Sequence, residues 1–275
     1  MCNSCDSWLN FLKLMPQGTI SAENTGWFER KRRERGRRAL ERQLEYQKKK
    51  AANVADSPGM LQNLFLHSQI VRQKLEKVKH IESADKILEV GCGAHGLIFG
   101  FGDNFGVGID PLAVDYKRLF PKWQGNALTT AAIGEQLPFD NASFDIVLSD
   151  NVIDHAEKPL KIVDEIVRVL KPGGVLYFTV NIHHPVYDLA SRAHGAWNAL
   201  GLKIELSAFA DHTVHFTESQ IKAVFARLPL NIVEQNSTVV ETKAIQRTAK
   251  AINPDALLKK MFFKNALLEV IAVRD

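Results

Sequence analysis

The chain is poor in the features that would set it apart from ordinary globular proteins. Of its 275 residues only three are cysteine: Cys2, Cys5 and Cys92. So small and odd a number excludes a disulfide framework and points to a reducing, cytoplasmic setting. Cys2 and Cys5 have the spacing of half a zinc site but no second pair accompanies them, so no metal is expected. No apolar run approaches the roughly eighteen residues of a membrane-spanning helix. The N-terminal stretch has no basic segment ahead of an apolar core, and Asp6 interrupts what apolar run there is. It does not read as a signal peptide. Internal repeats are lacking too. With 45% hydrophobic and 24% charged residues, wholesale disorder is excluded, and the length allows a full core without staples.

What charge there is lies unevenly. The formal net charge is +4, yet Glu29 to Lys50 alone holds eleven Lys and Arg against four Glu. That stretch carries +7 and the rest of the chain −3. It contains no proline and mostly strong helix formers, so a solvated basic helix is expected. It could meet phosphates of nucleic acid, anionic lipid or a nucleotide-linked substrate. The interleaved aromatics of a single-strand binder are missing, however, and nucleic acid is not the favoured partner.

The pattern divides the chain at Ser57-Pro58-Gly59. Residues 1–57 read as an extension, with a short amphipathic piece (Trp8, Phe11, Leu12, Met15) ahead of the basic helix. Residues 58–275 read as one domain. It opens with a helix to about Lys79, in which Met60, Leu61, Leu64, Phe65, Ile70, Val71, Leu75 and Val78 recur at helical spacing. Strands are then expected at Lys86–Val90, Gly106–Ile109, Asp145–Leu148 and Val175–Val180. Others are expected near Asn231–Glu234 and at Ala266–Val273, with helices at Pro159–Leu170 and Glu218–Leu228. This alternation predicts an α/β, Rossmann-like, doubly wound and mostly parallel sheet. Residues 183–216 and 237–265 exceed ordinary connections and are expected to cover a substrate.

Ile87-Leu88-Glu89-Val90 runs into Gly91, Gly93 and Gly96 at G-x-G-x-x-G spacing, and Asp110 follows nineteen residues after Gly91. Glycines there let backbone approach a nucleotide-like ligand, and an acid at that distance reaches ribose hydroxyls. Glu89 bears on which ligand. A carboxylate is repulsive beside a pyrophosphate, which disfavours a nicotinamide-dependent dehydrogenase, and favourable beside an amine and a sulfonium. It could equally cap nearby backbone N–H groups, and the two roles are compatible.

Five stretches together carry a family resemblance. They are Ile87–Gly96, Val107–Asp110, Gly134–Phe139, Ser143–Val147 and Lys171–Gly174, in that order and spacing. The region from about residue 83 to 182 resembles the class I S-adenosylmethionine-dependent methyltransferases, and within them the small-molecule branch. The resemblance implies a seven-stranded sheet and S-adenosyl-L-methionine as cofactor. Its methionine portion would lie on Glu89, Gly91, Cys92 and Gly93, with its ribose on Asp110 and its adenine between Pro111 and Leu112. Family members often have an acid where Ile133 stands; here Gly134 and Glu135 would serve the adenine edge instead. Asp150 and Asn151 would lie beside the amino group and the methyl to be transferred.

Methyl transfer from a sulfonium is an in-line displacement that needs alignment above all. A hydroxyl acceptor also needs a general base. His155, after the strand expected at Asp145–Leu148, and His183, after that at Val175–Val180, are the favoured candidates. The acceptor is expected to be a small molecule or a glycan, reached at a hydroxyl. A nucleic-acid methyltransferase is disfavoured, because the region after Asp150 lacks an Asn/Asp-Pro-Pro-aromatic run. A non-catalytic cofactor-binding relative is the remaining alternative.

Overall fold

A computed structural model of the chain describes residues 27–54, 57–102, 104–190, 214–250 and 254–275. The chain divides into two compact units, residues 1–34 and 35–275, and the second contains the sheet. The amphipathic piece at Trp8–Met15, Cys2 and Cys5 lie outside the described residues.

The elements are helices α1 (Trp27–Val54) and α2 (Pro58–Glu76), strands β1 (Lys86–Val90) and β2 (Phe105–Ile109), and short helices α3 (Ala113–Leu119) and α4 (Pro121–Gln124). Strands β3 (Leu128–Thr130) and β4 (Phe144–Asp150) follow, then helix α5 (Pro159–Val169) and strand β5 (Leu170–Ile182). The chain ends with α6 (Glu218–Phe225), β6 (Leu230–Ser237), α7 (Val239–Thr248), α8 (Pro254–Met261) and β7 (Ala266–Arg274). The seven strands form one sheet in the order β3-β2-β1-β4-β5-β7-β6. All neighbours are parallel except those of β7, which is antiparallel to both β5 and β6. The expected doubly wound sheet is therefore present.

Burial explains the strand pattern. β1 has four successive buried residues because helices cover both faces of a parallel sheet. In α5, Ile162, Val163, Ile166 and Val167 make one apolar stripe against the sheet. Gly173, near the start of β5, takes the left-handed conformation with φ 73°. α6 begins with a reciprocal cap, Thr217 accepting from the Gln220 N–H while the Gln220 side chain accepts from the Thr217 N–H. In α1 the pairs Arg37–Glu41 (2.7 Å) and Glu45–Lys49 (2.9 Å) join successive turns of an exposed, basic helix.

Four elements were not expected from pattern, among them the seven-residue α3. β3 has only three residues, and α7 has no buried residue, so it carries no periodic stripe. α4 is a single turn. Among the described residues no helix is long and apolar enough to cross a membrane.

The topology gathers the strand ends at one edge of the sheet. β1, β2, β4, β5 and β6 all end there, and β7 begins there, with Ala266 opposite Ile182 and Leu268 opposite Ser237. In open sheets of this kind ligands bind beyond the carboxyl ends of the strands, where the strand order reverses. Here that point is between β1 and β4.

Candidate functional site

The glycine loop leaves β1 and is fastened to the end of β2, with the Gly91 and Cys92 N–H groups donating to the Ile109 carbonyl at 2.8 and 3.0 Å. Gly91 has φ 72°, and a Cβ there would overlap the Val152 side chain. Gly96 is required for a different reason. A Cβ there would overlap the Glu89 carboxylate and the Cys92 carbonyl oxygen. Above Gly93, also in the left-handed region at φ 55°, nothing lies within 4 Å of where a Cβ would be. That open ground is where a ligand can approach backbone.

Glu89 is buried and accepts from the Leu97 and Ile98 N–H groups at 3.0 and 2.8 Å. It thus holds the turn that follows the loop. Burial nevertheless pushes its carboxyl up to about 7 despite those bonds, with the charges of Asp150 and Asp110 adding to the shift. A cation arriving beside it would reverse that penalty. Asp110 accepts from the Gly93 N–H at 3.1 Å and the Leu112 N–H at 2.8 Å, one on each oxygen. Each oxygen retains a second lone pair, the number needed for two vicinal hydroxyls. Burial raises its pKa, and the two N–H bonds oppose the rise.

Other side chains brace this end, and of them Gln124 was not legible in the sequence. Gln124, buried, donates to the Ala94 carbonyl at 2.8 Å and pins the loop from below. His95 packs edge-on against Phe120, centroids 4.4 Å apart, and burial lowers its pKa to about 4, so it is neutral. Its buried Nε2 has no hydrogen-bond partner among the described residues. Cys92 is buried, burial pushes its thiol well up, and its Sγ fills the space over Gly108.

The Gly134–Phe139 segment is held by Arg168, which donates to the carbonyls of Leu137 and Phe139, while Glu165 accepts from the Leu137 N–H at 2.7 Å. Glu135 accepts from the Lys158 N–H at 3.1 Å. Pro111 is exposed and Leu112 half-buried, one on either side of the turn out of β2.

At the end of β4, Asp150 accepts from the Thr179 hydroxyl at 2.5 Å. Asn151 takes the left-handed conformation, φ 58°, and its N–H donates to Thr179 Oγ1 at 2.9 Å while its side-chain oxygen accepts from Asn181. His67, which the sequence reading did not single out, reaches over from α2. Its Nε2 is 3.6 Å from Asp150 Oδ2, and that partnership raises its pKa. The signal for it is tertiary, since His67 stands among core-spaced residues of a helix.

The two candidate bases stand apart in character. His155 is exposed, on a short 3₁₀ turn, with Nε2 3.8 Å from the buried Asp154. His183 is buried; its Nδ1 accepts from the Asn265 N–H at 3.3 Å, and its ring lies 4.8 Å from that of His215. Tyr187 and the buried Lys264 join this group, with Lys264 Nζ 5.9 Å from the tyrosine ring. Gln246 of α7 clamps the Lys264 backbone by two hydrogen bonds. Next to the group is a cavity of about 550 Å³, mainly apolar, lined by Pro159, Leu160, His215, Phe216, Val224 and Arg227 among others. Ligand pockets fall in this range of size.

Residues 88–178 match the family described as a methyltransferase domain. The chain is similar to 24-methylenesterol C-methyltransferase 2 of Arabidopsis thaliana, 36% identical over 103 residues that cover 34% of this chain and 28% of that one. It is 30% identical over 112 residues to sarcosine/dimethylglycine N-methyltransferase of Aphanothece halophytica, covering 38% of this chain and 40% of that one. The matches therefore span well under two thirds of these curated relatives' length. Among solved structures, geranyl diphosphate C-methyltransferase from Streptomyces coelicolor, in complex with S-adenosyl-L-homocysteine, superposes with a TM-score of 0.53. That likeness is 14% identical, covers 76% of this chain and 80% of that one, and shows a shared fold.

Proposed function

We propose that this chain, which carries a class I S-adenosylmethionine-dependent methyltransferase domain, transfers a methyl group to a small-molecule hydroxyl at the carboxyl edge of β4 and β5. The observation that carries the proposal is Asp110: a carboxylate fixed by its own loop, with one lone pair left on each oxygen, beside the open backbone of Gly93. The residues present fit the cofactor. Asp110 would hold the ribose, Glu89 would face the cationic methionine end, and Pro111 and Leu112 would flank the base. Gly134 and Glu135 would border its far edge. When bound, S-adenosylmethionine supplies an electrophilic methyl on a sulfonium.

The protein's contribution is alignment. Asp150 and Asn151, locked by Thr179 and Asn181, fix where the methyl can point. A hydroxyl acceptor must lose its proton as the new bond forms; His155, exposed beside Asp154, can take it, whereas His183 can do so only once the Asn265 N–H releases its Nδ1. The apolar cavity beside His183 and His215 accommodates the body of the acceptor. The three-cysteine composition suits action in the cytoplasm.

A carbon acceptor is the second reading, favoured by the likeness to the Arabidopsis sterol C-methyltransferase over 103 residues. The test is transfer of labelled methyl from S-adenosylmethionine into a cell extract, fractionated afterwards into lipids, polar small molecules and RNA. Label in a small molecule as a methyl ether is the expected result. Label on carbon selects the second reading, and label in RNA overturns both.

A further inference from the structure

The pieces of chain at the carboxyl edge of the sheet carry a group of exposed apolar side chains. α8 turns Leu257, Leu258 and Met261 outward on one face, with Met261 69% exposed. On α7 Val240 is 75% exposed, and in the helical residues 185–190 Val186 and Leu189 also face outward, Leu189 at 70%. These pieces leave the same edge. Residues 183–190 follow β5, α7 follows β6, and α8 leads into β7. α7 and α8 pack on one another as a hairpin, and His184 ties its end to β5, with its ring 5.0 Å from that of Phe262.

The charge on this hairpin is net positive. Residues 239–261 contain Lys243, Arg247, Lys250, Lys259 and Lys260 against Glu241 and Asp255. Exposed leucine and methionine flanked by lysines is not the composition of a protein–protein interface, whose centre is depleted in lysine. It is the composition of a helix lying in a bilayer surface, where apolar side chains enter the acyl boundary and lysine stems carry their charge back to the headgroups.

We propose that the α7–α8 hairpin and the adjoining residues 185–190 dock this edge onto an anionic lipid bilayer. No helix among the described residues spans a membrane, so the association is peripheral and salt-sensitive. Docked this way, the carboxyl edge opens toward the lipid, and the acceptor is one that partitions into it. That last consequence rests on the methyl-transfer reading; the docking does not.

The test is flotation of the full chain with vesicles of phosphatidylcholine alone or with roughly one third phosphatidylglycerol, at about 0.1 M and about 0.5 M salt. Titration with S-adenosylmethionine runs in parallel. The protein should float with the anionic vesicles at low salt only. Arg247→Gln with Lys250→Gln should weaken binding about 25-fold, since each basic residue near such a surface contributes roughly fivefold. Leu257→Ser, Leu258→Ser and Met261→Ser together should weaken it by about tenfold or more. Both variants alter exposed side chains and should keep cofactor affinity. No flotation, or flotation indifferent to both sets of substitutions, overturns the docking. So does RNA binding by this face without flotation. Loss of cofactor binding with flotation intact overturns the methyl-transfer reading and leaves the docking standing.

Discussion

The two halves of the carboxyl edge are built by opposite means. At the β1–β2 end the functional carboxylates are satisfied by N–H groups close by in the chain. Glu89 takes those of Leu97 and Ile98, and Asp110 those of Gly93 and Leu112. At the β5–β7 end the side chains converge from distant segments: His183 after β5, His215 before α6, and Lys264 before β7. A local construction leaves a spacing in the sequence, whereas a convergent one leaves isolated residues. The cofactor end is therefore a motif and the acceptor end a shape.

If that contrast is right, the cofactor end should be intolerant of very small changes. Gly96→Ala is expected to have the largest effect. Its Cβ would overlap the Glu89 carboxylate and the Cys92 carbonyl oxygen, so denaturant unfolding should show a loss of roughly 1–3 kcal/mol, the usual range for overpacking. Unchanged stability would mean the loop yields, and Glu89 is not its fixed support. Asp110→Ala should next lower S-adenosylmethionine affinity by about ten- to a hundredfold, the range for a charged hydrogen-bonded contact. Calorimetry reads this directly.

The pH dependence sharpens the same end. The Glu89 carboxyl is raised from 4.5 to about 7 by burial, so without ligand its contribution to stability is fullest below 4.5 and is lost as pH rises through 7. Cation binding works in the other direction. It draws the proton off, so S-adenosylmethionine affinity should climb from about pH 5 to about pH 7 and then level. Glu89→Gln should flatten the climb. A profile that stays steep in the variant would assign the dependence to another group.

At the acceptor end the comparison turns on two imidazoles. Whichever of His155 and His183 accepts the proton should, when replaced by Gln, lower kcat by about a hundredfold or more and remove the acid limb of the rate profile. The other should do neither. The smallest effect is expected at Cys92→Ala. Its backbone shapes the loop while its thiol only fills space, so cofactor affinity should stay within about twofold.

How far the sequence speaks follows from the same contrast. β1 is legible to the residue because an apolar run ends in glycines, and Glu89 and Asp110 are legible because their spacing to those glycines is fixed by loop geometry. β3 is not, since three residues carry no pattern. α7 is not, since a helix that buries nothing has no apolar stripe to detect. His67 and Lys264 are isolated polar residues in the sequence. Only the packing of α2 over β4, and of β7 beside β5, brings them to Asp150 and Tyr187. Gln124 is similar: its role depends on α4 lying under the glycine loop.

The most direct test of the central claim is calorimetric titration of the whole chain with S-adenosylmethionine, S-adenosylhomocysteine and NADH. The site described predicts binding of both adenosyl compounds in the micromolar range and none of NADH, whose pyrophosphate would meet Glu89. Binding of NADH in preference to the adenosyl compounds would contradict it.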